Sequence, residues 1–122
     1  MNKAAIPKRY FHHIGVITDE PRPGEIYVPD TQVYVTDPTK HPYRIEYLRF
    51  ESSSPVSGPL RNLPHMAFQV DDLEKILAGE EVILPPFQPM EGLLVAFFIK
   101  DGGVFEYMQF DGVSPFSLIE VT

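Results

Sequence analysis

Four residues of metal-binding type recur in the same order in two parts of this chain. His13-Ile14-Gly15-Val16 is echoed by His65-Met66-Ala67-Phe68, and Ile45-Glu46-Tyr47-Leu48 by Phe105-Glu106-Tyr107-Met108. Two neutral imidazoles and two carboxylates balance the charge of a divalent cation and form a mixed nitrogen and oxygen set. Such a set suits Zn, Ni, Co, Mn or Fe(II) better than Mg or Ca, which prefer oxygen shells. An ion with six ligands would keep two places for water or for two adjacent substrate oxygens, and would polarise a carbonyl bound there.

Each residue also has an ordinary explanation when taken alone. A strand histidine is more often hydrogen-bonded or half-exposed than a ligand. A strand glutamate usually faces water or pairs with an arginine, and Arg44 and Arg49 are both near Glu46. His41 beside Pro42 reads as a turn residue, and Asp71, Asp72 and Glu74 as helix caps. Arg61 reads as a linker residue, with the grip of a substrate anion as the alternative. Four residues at matched positions of two copies are harder to explain that way.

The elements that must position them are strands. On the first strand, Phe11, His13, Gly15 and Ile17 share one face, so neighbouring His12 is expected on the other. On its echo, His65 and Ala67 share a face while Met66, Phe68 and Val70 share the other. In both copies a very small side chain follows the histidine by two residues, which would leave room for a ligand. Glu46 and Glu106 fall mid-strand among apolar residues, where a carboxylate is costly unless a cation or hydrogen bonds compensate it.

The remaining chain reads as short strands and turns, consistent with 13 prolines and 8 glycines in 122 residues. Ile26 to Val28, Gln32 to Thr36 and Tyr43 to Glu51 complete a first β-rich module, about 9–52. Residues 53–59 form a Ser, Pro and Gly linker. The second module, about 60–111, holds the one expected helix: Asp71 as N-cap, Glu74 at the capping-box position and Gly79 as the stop. Val82 to Leu84 is a brief strand, followed by a proline-rich loop through Pro89. Leu93 to Lys100 and Val104 to Phe110 form a hairpin over Asp101-Gly102-Gly103. The matching segment of the first module, Asp19 to Gly24, is a proline-rich loop with no helix. The last twelve residues fit one more strand or a lid.

Hydrophobic residues make up 43% of the chain and charged residues 22%, as in ordinary folded domains. A net charge of −7 argues against nucleic acid and anionic membrane surfaces as partners. Cysteine is absent, which excludes disulfides and thiol catalysis. The first ten residues lack an apolar signal-peptide core, and the longest apolar run is far short of the ~20 residues that cross a bilayer. The expectation is a soluble cytoplasmic protein with a small-molecule substrate.

These motifs resemble the vicinal-oxygen-chelate superfamily, which includes glyoxalase I, methylmalonyl-CoA epimerase, extradiol dioxygenases and bleomycin resistance proteins. The resemblance spans residues 11–110 and rests on the quoted phrases, the run from Pro64 through Leu73, and Gly103 to Met108. It implies an α+β fold in which two βαβββ-type modules, the first without its helix, pair into one cupped, mostly antiparallel sheet. It implies that His13, Glu46, His65 and Glu106 are the metal ligands, and that Glu46 or Glu106 moves between ligand and catalytic base. The implied activity is that of an isomerase, epimerase or lyase, transferring a proton next to a carbonyl through a metal-stabilised enediolate. Non-catalytic binding of a small molecule, as in the bleomycin-binding relatives, is the alternative, permitted by nine Phe and six Tyr. An Fe(II) dioxygenase is the third reading, and a fourth ligand at Glu46 speaks against it. A homodimer is expected, because the helix-poor first module leaves apolar sheet back uncovered.

Overall fold

The computed structural model describes residues 8–111 and 119–120. Residues 1–7, part of the segment read above for a signal peptide, and residues 112–118 and 121–122 lie outside the described residues. The chain runs β1 (Arg9–Ile17), β2 (Ile26–Val28), β3 (Val33–Val35), a 3-10 turn (Pro38–Lys40), β4 (Ile45–Phe50), α1 (Pro59–Asn62) and β5 (His65–Val70). It continues through α2 (Leu73–Leu77), β6 (Glu81–Met90), β7 (Leu93–Lys100), β8 (Gly103–Phe110) and β9 (Ile119–Glu120). None of the described helices is long and apolar enough to cross a membrane.

One mixed sheet, in the order β2-β3-β4-β1-β5-β8-β7-β6, curls into a half-barrel with few helices. The order is palindromic: first strand, then fourth, third and second, outward from the centre in each module. β1 and β5 meet antiparallel at that centre, while β1–β4 and β5–β8 are parallel. β9 adds to β1 through Tyr10 and Phe11, which answers in part where the end of the chain goes.

Alternation sorts the side chains between two faces. The inner face gathers Leu93, Val95, Phe97 and Met108 from the second module, and Val28, Val33, Val35 and Leu48 from the first. The outer face of the second module packs Phe68, Val70, Phe98 and Tyr107 against Leu73 and Leu77 of α2. No helix stands between β1 and β2, as the prolines there require. The loop instead lays the Arg22 guanidinium over the Tyr47 ring at 3.6 Å.

Several local expectations are corrected. The α2 N-cap is Asp72, not Asp71: its carboxylate accepts from Lys75 N at 3.2 Å, so the helix begins one residue later. α1 was not expected; it is a single turn behind the linker, with Pro59 in its first turn and Leu60 buried. Arg61 donates to the carbonyls of Glu51, Ser54 and Val56, so it staples the linker.

The proline-rich loop after Leu84 is in fact part of β6, a ten-residue strand. β6 lies at the sheet edge, where proline is tolerated, and its register shifts three times. Leu84, Phe87 and Met90, spaced by three, oppose Phe97, Val95 and Leu93, spaced by two. Each bulge inserts one residue, and all three apolar side chains therefore line the same cavity. The β7–β8 hairpin turns on Asp101 and Gly102 alone, both at positive φ (52° and 79°), and Lys100 pairs with Gly103. That is the two-residue turn an Asp-Gly pair favours.

Candidate metal centre

Two ladder rows across the sheet bring the four predicted residues together. In one, Glu46 on β4 pairs with Gly15 on β1, which pairs with His65 on β5. In the other, Glu106 on β8 pairs with Ala67 on β5, which pairs with His13 on β1. Each row places a small residue between a glutamate and a histidine, so the two long side chains can meet above it. The small residues following the histidines were expected to leave room for a ligand. What Gly15 makes room for first is the other module's imidazole: a Cβ there would collide with the ring of His65.

The side chains converge on the inner face. His13 Nε2 stands 3.4 Å from Glu46 Oε1 and 3.3 Å from Glu106 Oε1. His65 Nε2 stands 3.1 Å from Glu106 Oε1 and 3.9 Å from Glu46 Oε1. Ligand atoms of His13, Glu46 and His65 lie within 4.8 Å of one another, a group that could hold a metal ion. Octahedral and tetrahedral shells with bonds of about 2.1 Å have edges of about 3.0 and 3.4 Å. The separations of 3.1, 3.3 and 3.4 Å fit such edges, while that between His65 and Glu46, at 3.9 Å, is longer. Both Nε2 atoms are buried without a hydrogen-bond partner among the described residues, because they aim at a shared centre and not along a single N–H···O line.

Electrostatics tie the cluster together. Burial would push the His13 imidazolium down, but Glu46 and Glu106 more than offset it and raise the group to about 10. Burial would likewise raise the Glu106 carboxyl, while His13 and His65 hold it well below the usual carboxylate range. With no cation bound, a proton on His13 therefore supplies the positive charge that two buried carboxylates need.

His12 is the residue that sequence reasoning misplaced. β1 is bulged: Phe11 opposes Phe68 and His13 opposes Ala67, so His12 is the extra residue. The bulge breaks the alternation, and His12 stands beside His13 with Nδ1 2.7 Å from its Nδ1. Arg44, at φ 56°, donates from Nε to the His12 carbonyl at 2.6 Å and so clasps the bulge. Burial first, then His13 and Arg44, push His12 down to about 4, so it is neutral. A neutral His12 can accept from His13 Nδ1–H, leaving His13 Nε2 as the ligand atom. Pro64 stands at the matching place in the second copy. His65 Nδ1 accordingly has no hydrogen-bond partner among the described residues, and Phe97 meets that ring edge-on instead.

His41 falls where the blander reading put it, whereas Arg49, read as an arginine near enough to pair with Glu46, turns elsewhere. Arg49 forks onto Glu25 at 2.9 and 2.7 Å. His41 Nδ1 accepts from Tyr43 N within its turn. Above the cluster lies a cleft of two lobes that meet at Glu46. One, of about 80 Å3, is walled by apolar side chains of both modules and α1, with Glu46 and Glu106 on its lining. The other, of about 200 Å3, carries His12, His13, Thr36, Asp37 and Thr39 beside apolar residues.

No family model and no curated protein matches this chain. Its structure is similar to the crystal structure of a hypothetical protein from Bacillus halodurans C-125, with a TM-score of 0.67 and 18% identity. The match covers 87% of this chain and 97% of that one. At this identity the likeness speaks for the fold alone.

Proposed function

We propose that this chain is a metal-dependent isomerase, epimerase or lyase of the glyoxalase and epimerase kind, within the vicinal-oxygen-chelate superfamily. It moves a proton next to a carbonyl of a small metabolite, passing through an enediolate. The observation that carries the reading is the meeting of two imidazoles and two carboxylates beneath an apolar cup. His13, His65, Glu106 and Glu46 would hold a divalent transition metal: Zn, Ni, Co, Mn or Fe. When bound, that metal supplies Lewis-acid polarisation of the carbonyl and charge to balance the enediolate.

The chain's own residues divide the remaining work. Glu106 is the anchored carboxylate, 7% exposed and close to both imidazoles. Glu46 is the base: it is 16% exposed, stands off His65 by 3.9 Å and fronts both lobes of the cleft. The apolar walls exclude water from the carbanion equivalent.

Deuterium exchange tests the reading without a known substrate. Metal-loaded protein incubated in D2O with a panel of small 2-oxo and 2-hydroxycarbonyl compounds should exchange the proton beside the carbonyl of at least one, read by NMR. Glu46→Gln should lose exchange while keeping most of its metal, whereas Glu106→Gln should lose metal as well. Full exchange and full metal content in both variants would sink the proposal. A second reading, an Fe(II) dioxygenase, draws on the compact His13, Glu46 and His65 group, a two-histidine, one-carboxylate set. Oxygen uptake that depends on Fe(II), with no proton exchange under Zn or Ni, would favour it.

A further inference from the structure

We infer that the substrate carries, beside its chelating oxygens, an uncharged apolar tail that fills the lobe between β4, β6 and β7; this rests on the metal site proposed above. The lobe is lined by Leu48, Phe50, Leu60, Leu84, Phe87 and Val95 among others. Its polar lining residues are Thr31, Glu46 and Glu106. Lys and Arg are absent from that lining among the described residues.

The chemistry of the lining selects the tail. Phosphate or carboxylate groups entering the lobe would lose hydration and find no compensating cation among its described walls, since Glu46 and Glu106 already balance the charge of a bound divalent ion. An alkyl or aryl group loses only unfavourable contact with water. The shape of β6 points the same way. The two bulges between Leu84, Phe87 and Met90 turn all three toward this cavity, where regular alternation would have turned Phe87 to the opposite face. The lobe encloses about 80 Å3, room for a few carbons of such a tail. The other lobe, which shares Val35, Met90, Leu93 and Met108 with this one, adds Thr36, Asp37 and Thr39 to a largely apolar wall.

Three hydroxamic acids test this on Zn-loaded or Ni-loaded protein, since each offers the same two adjacent oxygens. Acetohydroxamate has no tail, octanohydroxamate has an apolar one, and the eight-carbon hydroxamate ending in a carboxylate has a charged one. Each buried methylene is worth about fourfold in affinity, so octanohydroxamate should bind at least a hundredfold more tightly than acetohydroxamate by calorimetry. The terminal carboxylate should cancel most of that gain. Met90→Arg, at the partly exposed end of β6, should weaken the alkyl compound and strengthen the carboxylate-ended one. Equal binding of all three compounds overturns the apolar-tail inference and leaves the metal site standing. If none binds and no metal is retained, both fall together.

Discussion

A single methyl group added to Gly15 would collide with the His65 ring, and that collision is the sharpest test of the centre at residue scale. Gly15→Ala should lower metal affinity by about tenfold or more while circular dichroism stays native, measured by competition with a coloured chelator. His12 acts one step further out. His12→Phe should cost roughly 10- to 100-fold in metal affinity, the range seen for partners that orient a ligand, and His12→Gln, which keeps an acceptor, should recover part of it. The same residues set a pH signature in the metal-free protein. The unfolded value of a histidine is 6.5, and His13 is raised to about 10, so its contribution is complete below 6.5 and is lost as pH climbs toward 10. His12, lowered to about 4, contributes above 6.5 and loses that as pH falls toward 4. Glu106, also lowered, adds a further loss in acid. Thermal unfolding without metal should therefore peak near pH 6.5, and a flat profile from pH 4 to 10 would contradict this cluster. Metal binding at neutral pH should release about one proton, that of His13, seen as a buffer-dependent heat. Among these residues only His12 escaped the sequence, because a bulge is a property of the pairing and not of the residues that form it.

At the scale of elements, the strands carry the site and the helices do not. α2 sits on the outer face, away from the histidines. Asp72→Ala should therefore reduce stability by about 1 kcal/mol through the lost cap, with metal affinity unchanged. Ala67 differs because it lies within the Glu106–His13 row and is wholly buried. Ala67→Leu should destabilise by roughly 1–3 kcal/mol and also cost metal, since overpacking there separates a pair of ligands. Most elements were legible from two-residue alternation, the Asp-Gly turn and the helix stop at Gly79. The length of β6 was not. Its prolines read as a loop because their tolerance depends on an edge position, which only the neighbouring strand defines.

For the whole molecule, metal and fold are coupled. Each module supplies one histidine and one glutamate, so an ion held by all four ties the halves across the β1–β5 seam. Free metal at a hundredfold excess over its dissociation constant should add about 2.7 kcal/mol of stability and raise the melting temperature by roughly 10 °C. EDTA should reverse the shift; no shift with any of Zn, Ni, Co or Mn would exclude a site formed by the folded state. The sequence by itself determined the β-rich duplication and the four residue types, because periodicity and the repeated phrases are local properties of the chain. Only the tertiary structure decided that each histidine is set across a small residue from the opposite module's strand, that His12 turns to support His13, and that two bulges line one lobe with apolar side chains. Those are facts of register, and register is settled when separate strands meet and not by either strand alone.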